Sequence, residues 1–108
     1  MYKKGTIVLV PFPFTNLTGN KVRPAIIISE KKIGNDIVVV FITSQTKLKE
    51  KHQVTITPDS GNGLKVSSRA LCAKIATLET KIVLGELGVV SDSITQKIDS
   101  ELRVVFGI

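Results

Sequence analysis

Residues 21–29, KVRPAIIIS, decide how the rest of the chain is read. Behind Pro24 stand Ala25, Ile26, Ile27 and Ile28, an apolar run too short and too β-branched for a helix, so it reads as a buried strand. Pro24 biases Arg23 away from the helical region and towards an extended backbone, which sets a permanently charged guanidinium at the mouth of that strand. A lone Arg-Pro reads as a solvated strand end. Two neighbours argue for more: the turn formers Thr18-Gly19-Asn20 just before it, and a second strand ending in Thr43-Ser44-Gln45, whose polar groups can converge on the same rim.

Working outward, residues 6–10 (TIVLV) form a β-branched and leucine run that opens a strand. Pro11 and Pro13 should end its pairing, because neither has an N–H to donate. Residues 15–20 are turn formers that return the chain into 21–29 and make a first hairpin. Gly34-Asn35 makes a further turn, and residues 36–44 read as a long strand whose VVVFI core predicts burial on both faces. A charged connection, 47–51, leads to residues 52–57, where Val54 and Ile56 alternate with polar neighbours as in a half-exposed strand.

Pro58-Asp59-Ser60-Gly61-Asn62-Gly63 is the strongest loop signal in the chain. The span 64–78 lacks a helix-capping pattern, so Val66, Leu71, Ile75 and Leu78 are assigned to one or two further strands. Residues 81–90 carry Gly85 and Gly88 among Ile82, Val83, Leu84 and Leu87, a short strand or turn packed on the core. Ser91 or Asp92 can cap a final helix whose Ile94, Ile98, Leu102 and Val105 form one apolar stripe, ended by Gly107. Short strands followed by one amphipathic helix predict a mainly β (α+β) domain: a small, strongly curved antiparallel sheet or barrel with the helix covering an open end.

The composition narrows the classes of function. A chain of 108 residues that is 43% hydrophobic is expected to form a single domain over 1–108. The longest apolar runs, such as 37–42, are far too short to cross a bilayer, and the opening MYKKGTIVLVPFPF lacks a signal-peptide cleavage pattern. A cytoplasmic protein with no membrane partner is the expectation. One cysteine, Cys72, and one histidine, His52, offer no internal disulfide and no cluster of soft metal ligands, so neither metal nor other cofactor is expected. The net charge of +6 favours a polyanionic partner, nucleic acid first among them. Lysine-rich surfaces also serve solubility alone, so distribution matters more than the sum. Lys21, Arg23, Lys31 and Lys32 flank the first core strand, and Lys47, Lys49, Lys51 and His52 follow the second.

Five segments in this order, GTIVLVPFPF, GNKVRPAIIIS, FITSQ, KIATLE and the helix after LGVVSD, resemble the MazF/PemK family of toxin endoribonucleases over nearly the whole chain. The resemblance implies a small SH3-like barrel, a homodimer, metal-independent cleavage of single-stranded RNA at short sequences, and inhibition by a cognate antitoxin. It places the arginine of the family's Arg-Pro strand start on Arg23, the threonine of its strand-end motif on Thr43 and the glutamine of that motif on Gln45. Some members carry an acidic residue where this chain has Cys72-Ala73-Lys74, and some a histidine or glutamate in the first loop that is absent here. A mechanism built on those groups does not transfer.

Cutting RNA without a metal requires the 2′-hydroxyl to attack its own phosphate, with a proton acceptor, a donor to the leaving 5′-oxygen and positive charge on the developing dianion. Arg23 can supply that charge through bidentate contact with phosphate oxygens. Thr43 can hydrogen-bond the phosphate or orient the 2′-hydroxyl, although a strand-end threonine also commonly satisfies backbone groups. Lys21, Gln45, Arg69 and Lys74 are the candidate RNA contacts. Phe12, Phe14 and Tyr2 are the available rings; core packing is the favoured reading for both phenylalanines. Cys72 reads as a small core residue, and nothing aims His52 at Arg23. The rival class is a catalytically inactive basic module of the same fold that binds nucleic acid or a protein partner. Ala73 in place of an acid favours that rival, and Arg23, Thr43 and Gln45 together favour the enzyme.

Overall fold

The computed structural model describes residues 2–12, 21–30, 33–45 and 50–108, and the backbone alone of Phe12. The turn expected at 15–20, Pro13, Phe14, the side chain of Phe12, and Lys31, Lys32, Lys47 and Lys49 lie outside the described residues.

Among the described residues six strands follow in order: β1 (Thr6–Phe12), β2 (Lys21–Ile27), β3 (Asp36–Thr43), β4 (Gln53–Ile56), β5 (Ser68–Glu79) and β6 (Gly85–Val89). A single 3-10 turn, Thr80–Ile82, joins β5 to β6, and helix α1 (Asp92–Phe106) ends the chain. All strand pairs are antiparallel, in the order β4-β5-β3-β2-β1-β6. The sheet curls into a half-barrel whose edges, β4 and β6, do not pair with each other. The expected hairpin, the long third strand, the half-exposed β4 and the terminal helix are all present.

The β-branched runs explain the two-sided burial. Adjacent residues of a strand point to opposite faces, so Ile7 and Val40 join one core while Val8 and Val39 join the other. The first core contains Ile26, Ile56, Cys72 and Ile98, and it is the face that α1 covers by packing on β4 and β5. The second is closed by Ile37 and Leu78, with Tyr2, Ile82 and Val83 packed against it. Tyr2 is therefore a core ring. Ser91 caps α1 by accepting the Ile94 N–H at 3.4 Å, and Gly107 ends it in a left-handed conformation at φ 69°.

Two expectations are corrected. Pairing of β1 does not stop at Pro11: Pro11 stands opposite Val22 and Phe12 opposite Lys21. The Leu9 carbonyl accepts the Leu84 N–H at 2.8 Å, so the polar backbone atoms of Leu9, and of Pro11 two residues on, point away from β2. No ladder hydrogen bond to β2 is lost at Pro11. The same logic covers Pro24, opposite Leu9: its missing N–H faces β3, and the β2–β3 ladder begins only at Ala25. Val66 is the second correction. It lies before β5 and is 57% exposed, because the strand starts only at Ser68.

The loop at 58–63 is held by its own polar groups. The Asp59 carboxylate accepts the N–H groups of Gly61 and Asn62, each at 2.8 Å. Buried Asn62 donates to the Thr57 carbonyl at 3.0 Å and accepts from the Leu64 N–H at 3.0 Å. Each of these bonds replaces water that the buried amide has lost.

Candidate functional site

The end of the β2–β3 pair builds the rim. Ala25 stands opposite Phe41, and continuing that register two residues sets Arg23 level with Thr43. Directly opposed residues share a face, so the guanidinium and the hydroxyl belong to one side of the sheet. Beyond Ala25 the two strands no longer ladder, and the rim is open.

Two hollows share Arg23, Ile42 and Thr43 as lining. The first, of about 510 Å³, adds Phe41, Gln45, Ala73, Lys74 and Ile75. The second, of about 520 Å³, adds Lys21, Ser44, Leu64, Val66 and Ser68. Apolar floors beneath cationic lips suit a chain of flat bases on a charged backbone.

Arg23 is half-buried and Thr43 is buried, whereas Lys21, Gln45 and Lys74 are exposed. The Thr43 hydroxyl accepts the Gln45 backbone N–H at 3.1 Å. That bond occupies one lone pair and leaves the hydroxyl proton available to a ligand oxygen. The backbone-satisfying role anticipated for Thr43 is thus present, and it orients the group without consuming its donor.

Five of the six candidate residues meet here: Arg23, Thr43, Gln45 and Lys74 at the first hollow, and Lys21 with Arg23 and Thr43 at the second. Arg69 does not join them. It stands opposite both Thr43 and Thr55 across the sheet, and its Nη1 donates to Gln53 Oε1 at 3.1 Å, towards β4 and away from the hollows. His52 is also elsewhere, with Nδ1 2.6 Å from Glu101 Oε1 on α1.

Phe41, Ile75 and Ser68 line the hollows although sequence reasoning did not place them at the rim, whereas Ser44 was expected there. Phe41 was detectable: it precedes Thr43 by two residues in a strand and so must share its face. Ile75 was not, because its place depends on an irregularity in β5. The register passes there from Val40 opposite Ile75 directly to Phe41 opposite Leu71, leaving Cys72, Ala73 and Lys74 between.

Cys72 is fully buried beneath the first hollow's wall, and burial together with the nearby Glu101 carboxylate pushes its thiol up to about 11. It is a protonated core group, as expected of a small apolar residue. Among the described residues no group of three or more His, Cys, Asp or Glu side chains is placed to hold a metal ion, and no helix is long and apolar enough to cross a membrane.

Comparison with solved structures gives the same architecture. A mycobacterial endoribonuclease in complex with its cognate antitoxin superposes with a TM-score of 0.80 at 21% identity, covering 100% of this chain and 97% of that one. MazF from Deinococcus radiodurans gives 0.77 at 20% identity, over 99% and 97%. The MazE-MazF complex of the same organism gives 0.79 at 18% identity, over 99% and 96%. At these identities the likeness is one of fold. No curated protein matches the sequence. The model of the PemK-like, MazF-like toxins of type II toxin-antitoxin systems matches residues 3–106, nearly the whole length, and the chain belongs to that family.

Proposed function

We propose that this toxin is an endoribonuclease that cuts single-stranded RNA in the cytoplasm, works as one domain without a metal ion, and is restrained by a cognate antitoxin. The observation that carries this reading is the placement of Arg23 level with Thr43 on a rim where both line two adjoining hollows. A strand of RNA laid across both hollows sets one phosphate at the wall between them. The 2′-oxygen then bonds to phosphorus while the bond to the 5′-oxygen breaks. The 2′-hydroxyl proton leaves to a base, and a proton reaches the departing 5′-oxygen. Arg23 stabilises the extra charge on the phosphorane oxygens, and the Thr43 hydroxyl donates to one of them. Lys21, Gln45 and Lys74 hold the flanking backbone. Arg69 contributes to the same field at longer range.

Solved relatives of the fold described as endoribonucleases, one with its antitoxin, support the reading. A homodimer fits as well. The outer edge of β4 has no strand partner among the described residues, and Leu84, Val104 and Phe106 are exposed at 60%, 63% and 58%. An acidic, partly disordered antitoxin segment would dock across the basic rim and occlude the RNA.

Incubation with a long RNA in chelator tests the reading. Cleavage should persist and leave 2′,3′-cyclic phosphate ends. Activity abolished by EDTA and restored by magnesium would overturn the metal-independent mechanism, and intact RNA would favour a binding module.

A further inference from the structure

The wall of the first hollow is not regular strand. Cys72, Ala73 and Lys74 fall between two registers of the β3–β5 ladder, and the exposed pair Ala73 and Lys74 lines the hollow beside Arg23 and Thr43. A bulge of this size has no ladder partner on β3, so its position must be set from elsewhere. Two contacts reach it from the segment ahead of β4, and a third ties that segment to α1. Cys72 donates its N–H to the His52 carbonyl at 3.0 Å. His52 Nδ1 lies 2.6 Å from Glu101 Oε1 on α1. Lys74 Nζ lies 4.0 Å from Glu50 Oε1, just ahead of His52 in the chain.

His52 is unusual in its own backbone. Among the described residues it alone, glycines aside, has a positive φ, 62°. That left-handed conformation is strained for a residue with a Cβ and persists where neighbouring contacts hold it. Here the contact is the helix carboxylate. The conformation aims the His52 carbonyl at the bulge while its ring turns back to α1.

We propose that His52 and Glu101 are positioning residues for the RNA site: their clasp ties the C-terminal helix to the bulge and fixes the wall against which the substrate lies. The proposal rests on the endoribonuclease reading. A partly exposed pair of this kind, 34% and 30% exposed at the two side chains, adds little to global stability, so a purely structural account leaves its geometry without consequence at the site.

The test compares the wild-type protein with His52→Gly, Glu101→Ala and Glu101→Gln. Glycine accepts the positive φ and keeps the fold while removing the ring. Both His52→Gly and Glu101→Ala should raise the KM for RNA about tenfold with kcat changed by less than about threefold, the signature of a displaced binding wall. Glu101→Gln keeps an oxygen to accept the Nδ1 proton and should restore most of the wild-type KM. Amide exchange, read without RNA, should speed up about tenfold at Cys72, Ala73 and Lys74 in His52→Gly, with β2 amides unchanged. Wild-type KM and wild-type exchange in both clasp-breaking variants would overturn the proposal, and so would faster exchange throughout the sheet. If the wild-type protein leaves RNA intact, the endoribonuclease reading fails, and the exchange rates alone decide whether the clasp holds the bulge.

Discussion

The Gln45 backbone N–H donates to the hydroxyl of Thr43 at 3.1 Å, so the end of β3 is folded back on the side chain that stands level with Arg23. A group fixed in this way enters the reaction with its orientation already set. Thr43→Val keeps the shape and removes the hydroxyl. Its stability cost should be about 1 kcal/mol, since exposed Gln45 can turn to water. Its single-turnover cleavage rate should fall on the order of a hundredfold, as for loss of one transition-state donor. Thr43→Ser should retain most of the rate. Equal rates in all three proteins would take Thr43 out of the reaction.

Two glycines separate backbone strain from collision. Gly34 has φ +58° in open space, whereas Gly63 has φ +72° and a Cβ there would run into the Leu87 carbonyl of β6. Gly34→Ala should cost about 1–2 kcal/mol, the ordinary penalty of a left-handed residue. Gly63→Ala should cost clearly more, because the loop at 58–63 must also move off β6. Urea midpoints at constant slope measure both; equal losses would mean that the loop yields freely.

Cys72 gives a pH dependence with a definite sign. Its folded thiol is raised from 9.0 to about 11, first by burial and then by Glu101. The folded state therefore holds this proton more tightly than the unfolded state. The contribution is neutral below pH 9, and stability falls as pH rises from about 9 towards 11. Iodoacetamide at pH 8 should modify the native protein slowly and the denatured protein fast. Rapid native modification would show that the thiol is reachable and ionised.

Much of this was readable in advance because the elements obey local rules. The isoleucine run behind Pro24, the period-two pattern of β4 and the capped stripe of α1 each carry their own signal. Arg23 and Thr43 were legible as partners because both sit at the ends of apolar strands. The bulge at 72–74 was not, since nothing local distinguishes it from continuous strand. Its Cys72 N–H is held by the carbonyl of His52, just ahead of β4, and His52 in turn meets Glu101 of α1. Pairing at Pro11 escaped for a related reason: whether a missing N–H matters depends on which neighbour it faces, and that is fixed by β6 far along the chain. The lean of Arg69 towards β4 was not legible either, because a strand's alternation does not say which neighbouring strand a long side chain reaches.

The central claim is that Arg23 acts on charge that develops during cleavage. Arg23→Ala, assayed in single turnover at saturating RNA, tests it most directly. The account predicts a rate lower by on the order of a hundredfold, about 2.7 kcal/mol, with a much smaller loss of RNA affinity and poor rescue by Arg23→Lys, which keeps the charge but not the bidentate fork. An unchanged rate at saturation, with weakened binding and a reduced salt dependence, would contradict it and make Arg23 a phosphate anchor only.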